Sequence, residues 1–209
     1  MQAGLTALIL LASQTQSEVE LVEPRARQGF FLGLGLRSAF MGADADPVGD
    51  LGLIQGGLFN FRFGQMVNNL YGFGMGIDFG GGQNDTWATG LGALTVSFHL
   101  APFDIDFAFH AAVGPAFFSV VRKDEAAARE DDPEGAYGAL YTVGVTYDWF
   151  PFHDKGESGG FAVTSFVEGR VFPTGDVIAG GVFAGVELSY WFGFGKNRLA
   201  LDAEDAYKR

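Results

Sequence analysis

Apolar and polar residues alternate with a period of two along most of the chain from residue 30 to residue 192. That spacing marks strands with one greasy face and one polar face. Eight segments carry it: Phe30–Phe40, Leu53–Gly64, Leu70–Phe79, Ala88–Leu100, Ile105–Val121, Ala136–Phe150, Phe161–Phe172 and Ile178–Phe192. The third is the cleanest, with Tyr71, Phe73, Met75, Ile77 and Phe79 opposing Gly72, Gly74, Gly76 and Asp78. Pro115 interrupts the fifth, where proline, lacking a ladder donor, predicts a bulge. Once the faces are set by aromatic and aliphatic residues, the charges serve as a check. Arg37, Arg62, Asp78, Asp106, Asp148, Glu168, Arg170 and Glu187 all fall on the polar face.

Eight strands joined in sequence predict an all-β fold, a closed antiparallel up-and-down barrel. The connections predict its two rims. Met41–Gly52, Gly80–Trp87 and Arg122–Gly135 read as longer acidic or glycine-rich loops, with the short Pro173–Val177 on the same rim. Gln65–Asn69 and Ala101–Asp104 read as short turns on the other rim, beside a longer Pro151–Gly160. Short turns opposite long loops are the layout of a transmembrane barrel.

Alternation alone leaves open which face meets solvent, since a water-soluble barrel would put the greasy face inside. Composition decides for the membrane. Only 18 % of residues are charged, with 32 glycines and 22 phenylalanines, whereas a soluble barrel's outer face is about 25–35 % charged. Glycine on a solvated strand weakens it, but inside a narrow barrel it leaves room for larger neighbours. Aromatics gather near strand ends, as expected of girdles at two lipid interfaces. In hydrocarbon every unpaired backbone group costs several kcal/mol, so such a sheet must close.

The formal net charge of −12 argues against nucleic-acid binding. The absence of cysteine excludes disulfides and thiol chemistry. No apolar run reaches the about 20 residues of a spanning helix. Ala3–Ala12 is shorter and reads as the core of a secretory signal peptide. The expected organisation is a signal peptide over 1–17, a periplasmic lead-in over 18–28, the barrel over 29–195 and a periplasmic tail over 196–209.

The chain resembles the small bacterial outer-membrane β-barrel family, of OmpA, OmpX and OmpW type, over about residues 29–195. The closing strand Val186-x-Leu188-x-Tyr190-x-Phe192 looks like that family's assembly signal, read by the barrel-insertion machinery. The tail after it departs from members that end at the aromatic. The resemblance implies the outer membrane as location, its lipid and lipopolysaccharide and the assembly machinery as partners, a monomer, and no cofactor.

The candidate site is the lumen: Arg37, Asn60, Arg62, Asp78, Asp106, His110, Asp148, Glu168, Arg170 and Glu187, with His99 beside them. Buried charges must pair or neutralise. A structural ion-pair plug is therefore the leading expectation, and a narrow passive channel the alternative. Ser97-x-His99 is similar to part of the lipid A deacylase barrels, but in reversed order and facing inward. A lipid-modifying enzyme is thus a third reading. Asp44-x-Asp46-x-x-Gly49-Asp50 lacks the further ligands of a calcium loop. The outer loops hold eleven acids against Arg122, Lys123 and Arg129. Loops so anionic suit the divalent-cation layer of lipopolysaccharide or a basic partner.

Overall fold

The computed structural model describes residues 27, 29–67, 70–102, 106–124, 135–152 and 159–193. The expected signal peptide, most of the lead-in, the C-terminal tail and the acids Glu130, Asp131 and Asp132 lie outside the described residues. Eight strands follow in chain order: β1 (Gly29–Ala45), β2 (Gly49–Met66), β3 (Tyr71–Gln83), β4 (Trp87–Leu100), β5 (Phe107–Arg122), β6 (Gly135–Trp149), β7 (Gly160–Pro173) and β8 (Val177–Phe192). Each pairs antiparallel with the next, and β8 pairs with β1, so the sheet is a closed barrel.

Its geometry follows from the register. The paired residues Phe30, Gln65, Phe73, Phe98, Ala111, Val143, Gly169 and Val182 form one circuit across all eight strands. Val182 then pairs with Phe40, so the circuit returns to β1 ten residues beyond its start at Phe30. That stagger over eight strands tilts them about 40° from the barrel axis, at about 3.3 Å per residue and 4.8 Å between strands. Every member of the circuit points outward, because an even stagger preserves the two faces.

The outer face is the apolar one. Leu36, Val143, Val186 and Leu188 are more than half exposed, and none of the strand charges except those near the loop rim lies among them. On β1 the apolar outer positions run from Phe30 to Phe40. At this tilt that distance is about 25 Å along the axis, the height of the hydrocarbon band around a transmembrane barrel. Aromatic pairs mark both margins: Phe30–Phe192, Phe73–Phe98 and Phe161–Tyr190 on the rim of the chain ends, Phe59–Phe79 and Phe117–Tyr137 toward the other.

The strands, 13 to 18 residues long, exceed the about 9–11 needed to cross. The excess lies on the loop rim, and there the expected layout needs correction. Met41–Gly52 is not a long loop. β1 continues to Ala45 and β2 begins at Gly49, leaving residues 46–48 as the connection. Gly80–Trp87 shrinks likewise to residues 84–86. The cause is a change in what the two faces carry, while the strand's alternation continues unbroken. Below the margin the inward residues are Gly33, Gly35 and Arg37; above it they are Met41, Ala43 and Ala45, while Gly42 and Asp44 turn outward. The projecting collar is apolar inside and mixed outside, where Asp44 and Gln55 stand beside Leu53 and Ile178, and the expected asymmetry between short turns and long loops does not hold.

The expected bulge at Pro115 is also absent. Ala93 faces Ala116 and Val96 faces Val113 in one register on both sides of it. Pro115 points outward and pairs opposite Ala139 of β6, while the ladder with β4 skips Leu94 and Thr95 opposite Pro115 and Gly114 without a change of register. A bulge occurs instead between Gly42 and Asp44 of β1, where β2 places the extra residue. Gly52, at φ 76°, supplies the backbone turn there. It brings both Leu51 and Ile54 inside.

Candidate functional site

The lumen is stacked in three layers. At the rim of the chain ends, Phe31, Met66, Ala101, Ala108, Ala162 and Trp191 pack together, with Phe150 against them. At the loop rim a larger apolar cluster fills the interior, from Met41, Ile54 and Leu58 through Trp87, Leu91 and Phe118 to Leu140, Phe172 and Phe183. Between the two lies the polar layer.

Among the described residues four arginines and four carboxylates are buried, Arg27, Arg37, Arg62 and Arg170 against Asp78, Asp148, Glu168 and Glu187, with Arg27 and Asp148 at the level of the chain-end cluster beside Phe31 and Trp191. Their formal charges cancel. Arg62 grips Glu187 with two prongs, Nε to Oε2 at 2.6 Å and Nη2 to Oε1 at 2.8 Å. Asn60 donates to the same carboxylate at 2.9 Å. Glu168 is the centre of the second unit. It takes Arg170 at 2.8 Å, His110 at 3.1 Å and Arg37 at 3.3 Å. Arg37 and Arg170 both turn to Asp78 as well. Arg37 stacks over the Phe166 ring at 4.8 Å and Arg170 over Phe183 at 5.0 Å. A flat guanidinium can thus serve a carboxylate with its edge and a ring with its face.

Glycine makes the space. A Cβ on Gly33 would fall 2.1 Å from Glu187 Oε1, and one on Gly35 2.4 Å from Asn60 Oδ1. The sequence pattern put these glycines on the inner face without showing which side chains needed the room.

The third unit is less regular. Asp148 is held by Arg27 at 2.5 Å and accepts from Thr164, which lies 3.3 Å from Ser189. Asp106, expected on the inner face of the fifth strand, instead precedes β5 and is only half-buried. Its backbone carbonyl accepts from Arg27 and from the Asp148 amide. Arg27 belongs to the expected lead-in, ahead of β1. No periodicity marks a residue outside the strands, so only the count of three inward arginines against more acids hints at a missing cation.

Ser97 and His99 are adjacent on the inner face of β4, 3.0 Å apart, and both are buried. His99 stacks on His110 at 5.9 Å. Neither reaches the lipid face. Two cavities of about 20 Å³ flank the network. Each has room for about one water molecule. Among the described residues no group of histidines, cysteines or acids is arranged to hold a metal ion.

No family model and no curated protein matches this chain. Solved structures do. Ail, the attachment invasion locus protein of Yersinia pestis, aligns over 78 % of this chain and 99 % of its own, at 11 % identity and a TM-score of 0.54. The same protein in complex with the heparin analogue sucrose octasulfate aligns over equal shares at 12 % identity and a TM-score of 0.51. Neisserial surface protein A aligns over 77 % of this chain and 97 % of its own, at 13 % identity and a TM-score of 0.49. At such identities the likeness to Ail is one of architecture, and this chain has the fold of the small bacterial outer-membrane β-barrels.

Proposed function

We propose that this chain is an integral protein of a bacterial outer membrane, a structural or interaction barrel without catalytic activity. In this reading the lumen is its rigid core, and the collar and loops are its working surface. The observation that carries the reading is the combination of an apolar outer belt with an interior filled from rim to rim. A water path would have to cross the two apolar layers as well as the paired charges. The filled interior therefore supports the structural reading over the narrow channel. Planar-bilayer recording tests it: purified barrel should add no discrete conductance steps. Reproducible steps that vanish with a lumen variant such as Arg37→Ala would restore the channel.

Partners in this reading are outer-membrane lipid and lipopolysaccharide, reached by a monomer that the barrel-assembly machinery inserts. Val186, Leu188, Tyr190 and Phe192 support the last point, for all four lie outward on β8, at 56, 64, 40 and 48 % exposure. The collar's exposed acids include Asp44, Asp46, Asp50, Asp85, Asp124 and Asp176, with Lys123 exposed among them. Such a surface suits divalent cations or a basic partner. It is unsuited to a polysulfated ligand such as the one bound by Ail, so that ligand is not carried over. Ser97 and His99, sealed inside, give no support to lipid-modifying chemistry.

A further inference from the structure

We infer that Asp148 and the Asp106 carbonyl form a guanidinium site at the mouth on the rim of the chain ends, and that Arg27 occupies it as a removable stopper. Arg27 lies outside the strands, yet is only 6 % exposed. One of its terminal nitrogens, Nη2, meets Asp148 Oδ2 and the Asp106 carbonyl, each at 2.5 Å. That one nitrogen donates to a carboxylate and a backbone acceptor together, and a guanidinium, more weakly hydrated than an ammonium, loses less on entering a site this buried.

The site is built rather than accidental. Thr164 holds the other Asp148 oxygen, Oδ1, and the Asp148 amide is bonded to the same Asp106 carbonyl that Arg27 uses. Carboxylate and carbonyl are therefore fixed relative to each other before the cation arrives. Charge points the same way. Without Arg27 the buried layer would hold Arg37, Arg62 and Arg170 against four carboxylates. A buried carboxylate left without its partner is costly, so the vacated site would take up a proton or a replacement cation.

Position makes this a stopper. Arg27 and Asp148 line the same cavity of about 20 Å³ as Arg62, Glu187, Ser189 and Trp191. Withdrawing the guanidinium would open that cavity toward the mouth. The apolar layer at the loop rim would stay closed, so the result is a chamber with one entrance, not a pore. The ligand class is a small guanidinium compound or an arginine side chain presented from that side.

The chain has no cysteine, which allows a direct test. Ser189→Cys places a near-isosteric thiol in the cavity wall of the full barrel in lipid vesicles or micelles. Its reaction with a small water-soluble thiosulfonate is timed with and without Arg27→Ala. Boiling-dependent gel mobility confirms that both are folded. Arg27→Gln, which keeps most of the bulk, repeats the test if the alanine variant does not fold. Removing the guanidinium should speed labelling by roughly tenfold or more, as expected when a buried charge pair is broken. Millimolar methylguanidinium should then slow it again, while methylammonium should not, and adding Asp148→Asn should abolish the protection. Equal labelling rates with and without Arg27 would overturn the stopper. Equal effects of the two cations, or protection that survives Asp148→Asn, would overturn the site.

Discussion

At the scale of the residue, the barrel depends on pairing opposite charges in a buried layer. Glu187 takes three hydrogen bonds from Arg62 and Asn60 and is 2 % exposed. Glu187→Ala should lower the free energy of unfolding by about 3–5 kcal/mol, because it strands the Arg62 guanidinium. Urea titration of the barrel in lipid, followed by tryptophan fluorescence, measures it. A loss below about 1 kcal/mol would show that the pair is solvated. Space matters as much as charge. Gly35→Val should cost at least about 1–3 kcal/mol, the usual cost of overpacking, because its Cβ would meet the Val186 carbonyl and Glu187 Cβ as well as Asn60 Oδ1. The same titration reads it, and a further Asn60→Ala substitution should recover part of the loss if Asn60 is what the valine displaces.

At the scale of the element, strand identity and most faces were legible in the sequence, because lipid outside and paired charges inside give the alternation a single phase from Phe30 to Phe40 and along the other strands. The strand ends above the belt were not. There the outside is wet, so Gly42, Asp44, Gln55 and Gln83 face out while Met41, Ala43 and Ile54 face in. A reading that requires the apolar face to stay outward loses the strand where the faces change character, and so predicts loops where the ladder continues. Asp106 was placed in the strand for the opposite reason, since the alternation of Phe103, Ile105 and Phe107 with Asp104 and Asp106 runs on ahead of the first residue of β5. The change of character has a mutational signature. Val143→Arg, outward and within the belt, should cost about 2–4 kcal/mol and impair insertion. Gln55→Arg, outward on the collar, should stay within about 0.5 kcal/mol of the parent. Folding yield into vesicles, read by gel mobility without boiling, compares them. Equal damage from both would mean that the belt extends to the collar.

At the scale of the whole molecule, closure, belt and filled lumen form one solution to a single constraint. Hydrocarbon allows no free sheet edge, so the eight strands pair edge to edge and β8 closes on β1. The ten-residue stagger from Phe30 to Phe40 leaves an interior wide enough for side chains in three layers. The collar lifts the acidic connections clear of the belt, and the ties between them hold it together. Asn84 bonds to the Leu51 carbonyl and accepts from Trp87 and Lys123, and Asp46 bonds to the Asp176 carbonyl.

The central claim is that lipid touches the aromatic outer face and not the interior. The three tryptophans divide along that line: Trp149 is outward at 57 % exposure, while Trp87 and Trp191 are inward at 5 % each. Variants keeping one tryptophan and replacing the other two with phenylalanine are folded into vesicles of phosphatidylcholine brominated high on its acyl chains, and fluorescence is compared with unbrominated vesicles. The barrel described here predicts strong quenching of Trp149 and little of Trp87 or Trp191. Quenching of the inward pair with Trp149 untouched, or quenching of none, would contradict it.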